Sequence, residues 1–399
     1  MENGKLKYKR RPSQNRANLH TRLNLSTHHD KEVTAVKKKL FVTTDIHGHA
    51  SKLKEALKEA GFDRNNDDHV LVVCGDFFDR GKENRSVYTY IDGLKNKILI
   101  NGNHEHNLET VLLNGKLTLS DHMNGMERTI QEFFRGDYIP EYNFIYTDDT
   151  ADGYKDLYGF LGDMRDFFET ENYAFTHGWL PSDNNLETGK AAIRPNWRYE
   201  TPEGWKKACW LGWYKVYPYR PMLEGKTIVV GHRGANYGSK FDPARDPGDY
   251  KPFYGEGMIA LDATTVTSGI INVIVIEDEI PDPVTHEMKL LEHPFNEIKA
   301  GRKRVEMRLF DEKRQKLRVG DRICFTSEKN GETLTVTVVG LHRFENFHDL
   351  VTEFQPKELG FKDHSPKKIS DIMTDIYSPE ETEKYGTLAI RVSLTAYTP

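Results

Sequence analysis

From Leu40 onward the chain alternates between short apolar runs and amphipathic stretches. Leu40-Phe41-Val42-Thr43 reads as a strand, whereas Leu53, Ala56, Leu57 and Ala60 share one face of a helical period that Gly61 stops. Val70-Leu71-Val72-Val73 and Ile98-Leu99-Ile100 read as two more strands with a helix between them. Runs this uniformly apolar need a sheet covered on both faces, so the pattern predicts βαβ units in a buried, mainly parallel sheet. Between His106 and about Asn172 the chain is mixed and rich in aromatics, as a cap around a site would be. Strands resume at Tyr173-Ala174-Phe175, Thr227-Ile228-Val229-Val230, Met258 to Leu261 and Ile270 to Ile276. Glu277 to Thr285, acidic and carrying Pro281 and Pro283, suits an extended linker better than a helix or a central strand. Beyond it, Val319 to Thr326, Thr333 to Leu341 and Thr387 to Leu394 read as strands, with a helix around Phe347 to Phe354. The expected organisation is a tail over 1–36, a large domain over 37–278, a linker over 279–285 and a smaller β-rich domain over 286–399.

Composition narrows the class of protein. Its 399 residues are enough for each domain to bury its own core, so no disulfide or metal staple is needed for folding. A net charge of −5 argues against a globally basic coat for nucleic acid, although local basic surface is compatible with it. Cys74, Cys209 and Cys324 are few, odd in number and far apart, which fits a reducing compartment and leads to an expected cytoplasmic location. No window approaches the roughly 18 apolar residues of a membrane span. The N-terminal Lys5, Lys7, Lys9, Arg10 and Arg11 are followed by no apolar run, so that segment is expected to be a mobile basic arm.

The chemistry-bearing residues all follow strands. Asp45 and His47 come after the first, Asp76 and Asp79 after the second, and Asn103 and His104 after the third. In open α/β sheets the carboxyl ends of strands converge on the ligand crevice, so these side chains can meet. Together with His177 and His232 they supply the bridging carboxylate and the mixed N/O shell that two neighbouring divalent ions need. His106, His122, His342 and His348 lack such placement and default to surface or packing roles. Trp197, Trp205, Trp210 and Trp213 read as packing for the rim, with a base-stacking platform as the alternative.

The segments Asp45-Ile46-His47-Gly48, Gly75-Asp76-Phe77-Phe78-Asp79-Arg80-Gly81, Gly102-Asn103-His104-Glu105, the lone His177 and Gly231-His232 together resemble the phosphoprotein-phosphatase type of calcineurin-like metallophosphoesterase. The resemblance covers roughly residues 40–278 and is nearest in style to small bacterial and phage members of the lambda-phosphatase kind. It implies a four-layer αββα sandwich and two divalent ions, Mn²⁺ first, with Fe and Zn as alternatives. By position, Asp45 and His47 would ligate one ion, Asp76 would bridge, and Asn103, His177 and His232 would hold the second. An activated water would attack phosphorus in line without a covalent phosphoenzyme. His104 would protonate the leaving oxygen, Asp79 would orient His104, and Arg80 would clamp phosphate oxygens. Two positions depart from the family pattern: Thr44 stands where a glycine is usual, and Arg233 follows His232, where it could add a substrate contact. For a further phosphate-binding cation the candidates are Arg198, Lys215 and Arg220.

His293-Pro294-Phe295, Ile298, Gly301-Arg302-Lys303, Glu306 and Arg308, leading into Gly320-Asp321-Arg322-Ile323, resemble an ASCH domain, a small PUA-like β-barrel. That resemblance implies binding of RNA or modified nucleosides, with Lys303, Arg304 and Arg308 as candidate nucleic-acid contacts. Some members are Lys/Thr hydrolases; here Glu306 stands where that threonine would be. The expected function is therefore metal-dependent hydrolysis of phosphomonoesters on a phosphoprotein, nucleotide or RNA, with RNA as a candidate partner of the second domain and no membrane association. The alternatives are a dinucleoside polyphosphate hydrolase, an RNA cyclic phosphodiesterase or end-healing phosphatase, and an RNA-binding module with a vestigial phosphatase.

Overall fold

The computed structural model describes residues 35–134, 138–139, 144–145, 152–185 and 190–396, so the basic arm expected over 1–36 lies outside it except for its last two residues. The strands β1 (Ala35–Thr43), β2 (His69–Cys74) and β3 (Lys97–Ile100) pair in parallel, and Ile274–Pro281 runs antiparallel along the free edge of β1. Between and after them come the helices α1 (Ala50–Glu59), α2 (Asn84–Asp92) and α3 (Asn103–Asn114).

Successive side chains of a strand point to opposite faces, and that alternation sorts the apolar runs into two cores. Phe41, Leu71, Val73 and Leu99 meet Leu53 and Leu57 of α1 and Val87 and Ile91 of α2. Leu40, Val42, Val70, Val72, Ile98 and Ile100 point the other way, onto Phe175, Val229 and Ile259 of a second sheet. That sheet runs Phe253–Gly255, Met258–Ala260, Thr227–Val230, Tyr173–Phe175, Phe168–Glu169. Its outer face, with Ile228 and Val230, is covered by Trp197, Trp205 and Trp213. Helix, sheet, sheet and helix thus stack as the expected four layers.

The last strand of the first sheet lies further along the chain than Ile270 to Ile276. It occupies Ile274–Pro281, so the acidic stretch expected to begin the linker completes an edge strand, in which Ile274, Ile276, Asp278 and Ile280 are buried and the residues between them are exposed. An edge needs no second hydrogen-bonding partner and tolerates Pro281 at its end. After residues 282–284 the chain enters a curled five-stranded half-barrel in the order Thr285–Leu290, Arg322–Ser327, Thr333–Phe344, Thr387–Ser393, Val305–Leu309. One face encloses Phe295, Phe325 and Ile390; the other packs on the helices Phe347–Glu353 and Pro366–Ile376.

Polar contacts join this sheet to the first two sheets and their helices. Arg391 lies 3.3 Å from Asp166, Ser393 and Thr395 bond Asp163, His342 Nδ1 lies 2.7 Å from the carbonyl of Glu200, and Arg304 stacks on Tyr158. No helix among the described residues is long and apolar enough to cross a membrane.

Candidate metal centre

The parallel strands of both sheets direct their carboxyl ends to one crevice. Asp45 and His47 follow β1, Asp76 and Asp79 follow β2, and Asn103 and His104 open α3 just after β3. His177 follows Tyr173–Phe175 and His232 follows Thr227–Val230 in the second sheet. Eight described non-glycine residues have positive φ, and Asp45, His47, Asp76, Asp79, Arg80 and His232 are six of them. Side chains held in the left-handed region cost roughly 1 kcal/mol or more each, so such concentration at one place marks a site whose geometry is over-determined by its surroundings.

The ligand atoms converge on Asp76. His47 Nε2 lies 3.5 Å and His104 Nε2 3.8 Å from Asp76 Oδ2, while His177 Nε2 lies 3.3 Å from Asp76 Oδ1 and 3.0 Å from Asn103 Oδ1. Asp45 Oδ1 is 3.9 Å from His47 Nε2. Two groups, His47-Asp76-His104 and Asp76-His177-His232, each offer one atom per residue within 4.8 Å of one another and share Asp76. All six expected ligands therefore come together, and Asp45, His47, Asp76, Asn103 and His177 are at most 2 % exposed.

Partners around this shell decide which nitrogen each imidazole presents. His47 Nδ1 lies 3.0 Å from the Phe78 carbonyl and His177 Nδ1 2.7 Å from that of Cys74, which places those protons and leaves both Nε2 lone pairs facing Asp76. His232 is reversed: its Nε2 lies 3.2 Å from the Trp210 carbonyl, so Nδ1 is free to ligate. Burial holds His47 well below its ordinary pKa and lowers His232 to about 3, with His177 nearby also lowering the latter, so both imidazoles are neutral at physiological pH. His104 differs. Burial would lower it too, but Asp76 and Asp79, whose Oδ2 lies 2.6 Å from its Nδ1, raise it to about 9.

The shell fits divalent ions on electrostatic grounds as well. Burial would raise Asp76, yet His177, His104, His47 and His232 pull it below the usual carboxylate range. Burial raises Asp45, with His177 opposing and the like charge of Asp76 adding to it. Two buried carboxylates among imidazole nitrogens form a donor set that a cation would suit.

The second half of the expected site divides. Arg80 is exposed, and its guanidinium lies 3.0 Å from Nε2 of both His47 and His104, at the mouth of the cage. Arg233 is exposed beside His232. Arg198 instead forms a bidentate pair with Glu169, at 2.6 and 2.7 Å, in a cavity between the second and third sheets that no metal-centre residue lines. Arg220 pairs with Glu256. Of the candidate nucleic-acid contacts, Lys303 is 4 % exposed and donates to the carbonyls of Val305 and Leu359. Arg304 covers Tyr158, and Arg308 reaches Glu306 at 2.8 Å and the Lys289 carbonyl at 2.9 Å. Lys303 and Arg308 thus turn inward onto Glu306 and backbone carbonyls, and Arg304 onto the Tyr158 ring.

Several supporting residues carried no role in the sequence reading. Glu105, at the third position of α3, accepts from the backbone N–H of Gly102, Asp76 and Phe77 at 3.0, 2.8 and 3.0 Å, so one carboxylate ties two motifs together. An acid at that helix position is a capping signal legible in the chain. Asp79 is held by Asn84 and Thr129, the latter 50 residues away with no local signal. Thr44, the departure from the family pattern, puts its hydroxyl 2.6 Å from Asp45 Oδ2 and 2.7 Å from the Cys74 carbonyl.

Residues 38–258 match the family model described as calcineurin-like phosphoesterase, and residues 288–396 match that of the ASCH domain. Among solved structures, a Pyrococcus furiosus protein is 28 % identical over 29 % of this chain and 100 % of its own, with a TM-score of 0.24. A cold-active protein-tyrosine phosphatase from a psychrophilic Shewanella is 15 % identical over 60 % of this chain and 75 % of its own, TM-score 0.36. A metallophosphoesterase from Sphaerobacter thermophilus is 14 % identical over 49 % and 60 %, TM-score 0.27. No curated protein matches the chain.

Proposed function

This chain belongs to the calcineurin-like phosphoesterase family, and from that premise we propose that it is a two-metal phosphomonoesterase of the Ser/Thr-phosphatase type. The observation that carries the reading is Asp76 standing between two donor groups with the His104–Asp79 pair at its side. Asp45, His47 and Asp76 would hold one divalent ion, and Asp76, Asn103, His177 and His232 the other. When bound, two such ions neutralise phosphate charge and bring the pKa of a water towards neutrality; Mn²⁺ suits the mixed N/O shell, as do Fe and Zn. The fork of Arg80 at the mouth of the cage binds phosphate oxygens and turns the ester's leaving oxygen towards His104. His104 holds its proton at neutral pH because of Asp76 and Asp79 and gives it to that oxygen as the P–O bond breaks. Arg233 adds a second cation on the His232 side.

All six expected donors gather at one crevice, which supports an enzyme over a binding module with a vestigial phosphatase. The test is turnover of para-nitrophenyl phosphate with Mn²⁺ by the wild type, Asp76→Asn and His104→Ala. Asp76→Asn is expected to lose both metal and activity, and His104→Ala to keep metal while kcat falls roughly 10²–10⁴-fold. Equal turnover by all three proteins would sink the mechanism.

A role for the ASCH domain in directing the enzyme to RNA finds support in a depression of about 520 Å³ whose lining holds Lys289, Arg308, Lys313 and Arg314 beside Glu287 and Glu328. Phosphate contacts there would make RNA affinity fall with salt, and Lys289→Glu with Lys313→Glu should flatten that slope. A dinucleoside polyphosphate or a cyclic phosphate would use the same ions with a different rim. A cytoplasmic site of action is consistent with free Cys74, Cys209 and Cys324.

A further inference from the structure

The mixed stretch expected to cap the site contributes the helix Met126–Phe133, and one face of it meets the loop that carries Asp79 and Arg80. Gly125, Arg128, Thr129 and Glu132 share that face, at the spacing of successive helical turns. Gly125 has a φ of +81°, and a Cβ on it would meet the Arg80 backbone nitrogen at 2.7 Å. Arg128 Nη1 donates to the Arg80 carbonyl at 3.2 Å. Glu132 accepts from Asn84 Nδ2 and from the backbone N–H of Arg85, both at 2.8 Å.

Thr129, between these, holds Asp79 at two points. Its hydroxyl oxygen accepts from Asp79 N–H at 3.1 Å and donates to Asp79 Oδ1 at 2.6 Å, while the other carboxylate oxygen, Oδ2, faces His104 Nδ1 at 2.6 Å. Thr129, Asp79 and His104 are all at most 2 % exposed, so water does not stand in for either contact. A carboxylate with one oxygen bonded can turn about its bond to Cβ, a soft torsion; with both oxygens bonded its plane is fixed, and the imidazole that shares it is fixed with it. Asp79 also sits at a φ of +72°, a conformation that a non-glycine residue keeps only where its surroundings over-determine it.

We propose that Thr129 is a positioning residue for the acid: by setting the plane of the Asp79 carboxylate it aims His104 at the leaving oxygen. The inference rests on the phosphoesterase reading above. As water oxygen bonds to phosphorus and the bond from phosphorus to the ester oxygen breaks, that oxygen takes the Nε2 proton of His104, and the Nδ1 proton stays in its bond to Asp79. An imidazole free to rock meets the departing oxygen in only a fraction of its orientations, so the cost of losing Thr129 grows with that oxygen's need for a proton. A phenolate stabilised by a nitro group needs the proton less than a plain phenolate does.

The test compares wild type, Thr129→Val, Thr129→Ser and His104→Ala, loaded with Mn²⁺, on phenyl phosphate and para-nitrophenyl phosphate, which differ chiefly in the basicity of the leaving oxygen. His104→Ala sets the scale and should lose more on phenyl phosphate than on its nitro analogue; equal losses there would overturn the acid role itself. Thr129→Val is expected to lower kcat about 10-fold on phenyl phosphate and no more than about threefold on para-nitrophenyl phosphate, with KM unchanged within about twofold. Thr129→Ser, which keeps the hydroxyl, should stay within about twofold of wild type on both. Thr129→Ala carries the same comparison if the valine variant does not fold. Nuclear magnetic resonance gives a readout free of turnover: in Zn²⁺-loaded protein the proton in the short bond between His104 and Asp79 resonates far downfield, and Thr129→Val, but not Thr129→Ser, should shift it. Equal losses of Thr129→Val on the two esters, a loss in Thr129→Ser as large as in Thr129→Val, or a resonance that Thr129→Val leaves in place would overturn the inference. Absence of turnover by metal-loaded wild type, with the resonance still moved by Thr129→Val, would overturn the phosphoesterase reading and spare the hold of Thr129 on the pair.

Discussion

His104 and His232 both approach Asp76, yet one is raised to about 9 and the other lowered to about 3. Burial acts on both; only His104 has a carboxylate, Asp79, to hold its proton. Such a split suits one histidine to the proposed role of acid and the other to that of ligand without any difference in residue type. It predicts that Asp79→Asn keeps bound metal, measured by elemental analysis, while kcat falls by at least 10-fold, because the proton on His104 loses its partner. Gly231 illustrates the same dependence on surroundings. A Cβ there would meet Thr44 Oγ1 at 2.0 Å and Asp45 Oδ2 at 2.5 Å. Gly231→Ala is therefore expected to lose metal affinity, and Thr44→Gly in the same chain to restore part of it, since only the first of the two clashes is removed; a metal titration of the single and double variants checks this. The Thr44 departure and the Gly231 requirement are thus one packing arrangement.

Among the elements, α3 carries the most. It begins at Asn103 and His104, and Glu105 ties its first turn to the loop after β2 through three backbone N–H groups. Burial first, and the charge of Asp76 second, raise Glu105 to about 7, so this carboxyl is held in place against its own ionisation. Removing it should let the two motif loops separate: Glu105→Ala is expected to weaken metal binding about 10- to 100-fold, as measured by calorimetry, in the range usual for residues that orient ligands. The strands of this half were legible because fully apolar runs admit few other readings. The edge strand Ile274–Pro281 was legible only in part, because its outward Glu277 and Glu279 and its terminal proline look like linker until β1 lies beside them. Thr285–Leu290 and Val305–Leu309 were not legible as strands, since charged residues alternate with the apolar ones and no run stands out.

At the scale of the molecule, the third sheet is joined to the phosphoesterase layers by buried charge. Asp166 is met by Arg391 at 3.3 Å and His342 at 3.6 Å. Arg391→Ala would leave that carboxylate buried without its cation, and a loss on the order of 3 kcal/mol in denaturant unfolding is expected. Close by, Glu358 is raised to about 7, first by burial and then by Glu109 on α3. A carboxyl whose folded pKa exceeds its unfolded value binds its proton more tightly in the folded state, so stability falls as pH rises from about 4.5 to about 7 and stays lower above that. Glu358→Gln should therefore gain more thermal stability, relative to wild type, at pH 8 than at pH 5. None of these junction contacts is visible in the chain, because their members lie far apart in sequence, His342 and the Glu200 carbonyl by 142 residues and Arg391 and Asp166 by 225. By itself the sequence determined the layers and which residues gather at the crevice, because apolar runs dictate a covered sheet and side chains that follow its strand ends converge there. Only the tertiary structure decided which nitrogen each histidine presents, that Arg198 and Lys303 are spent on internal partners, and that Trp210 alone of its cluster stays exposed, because each depends on which distant carbonyl, carboxylate or ring comes to lie beside it.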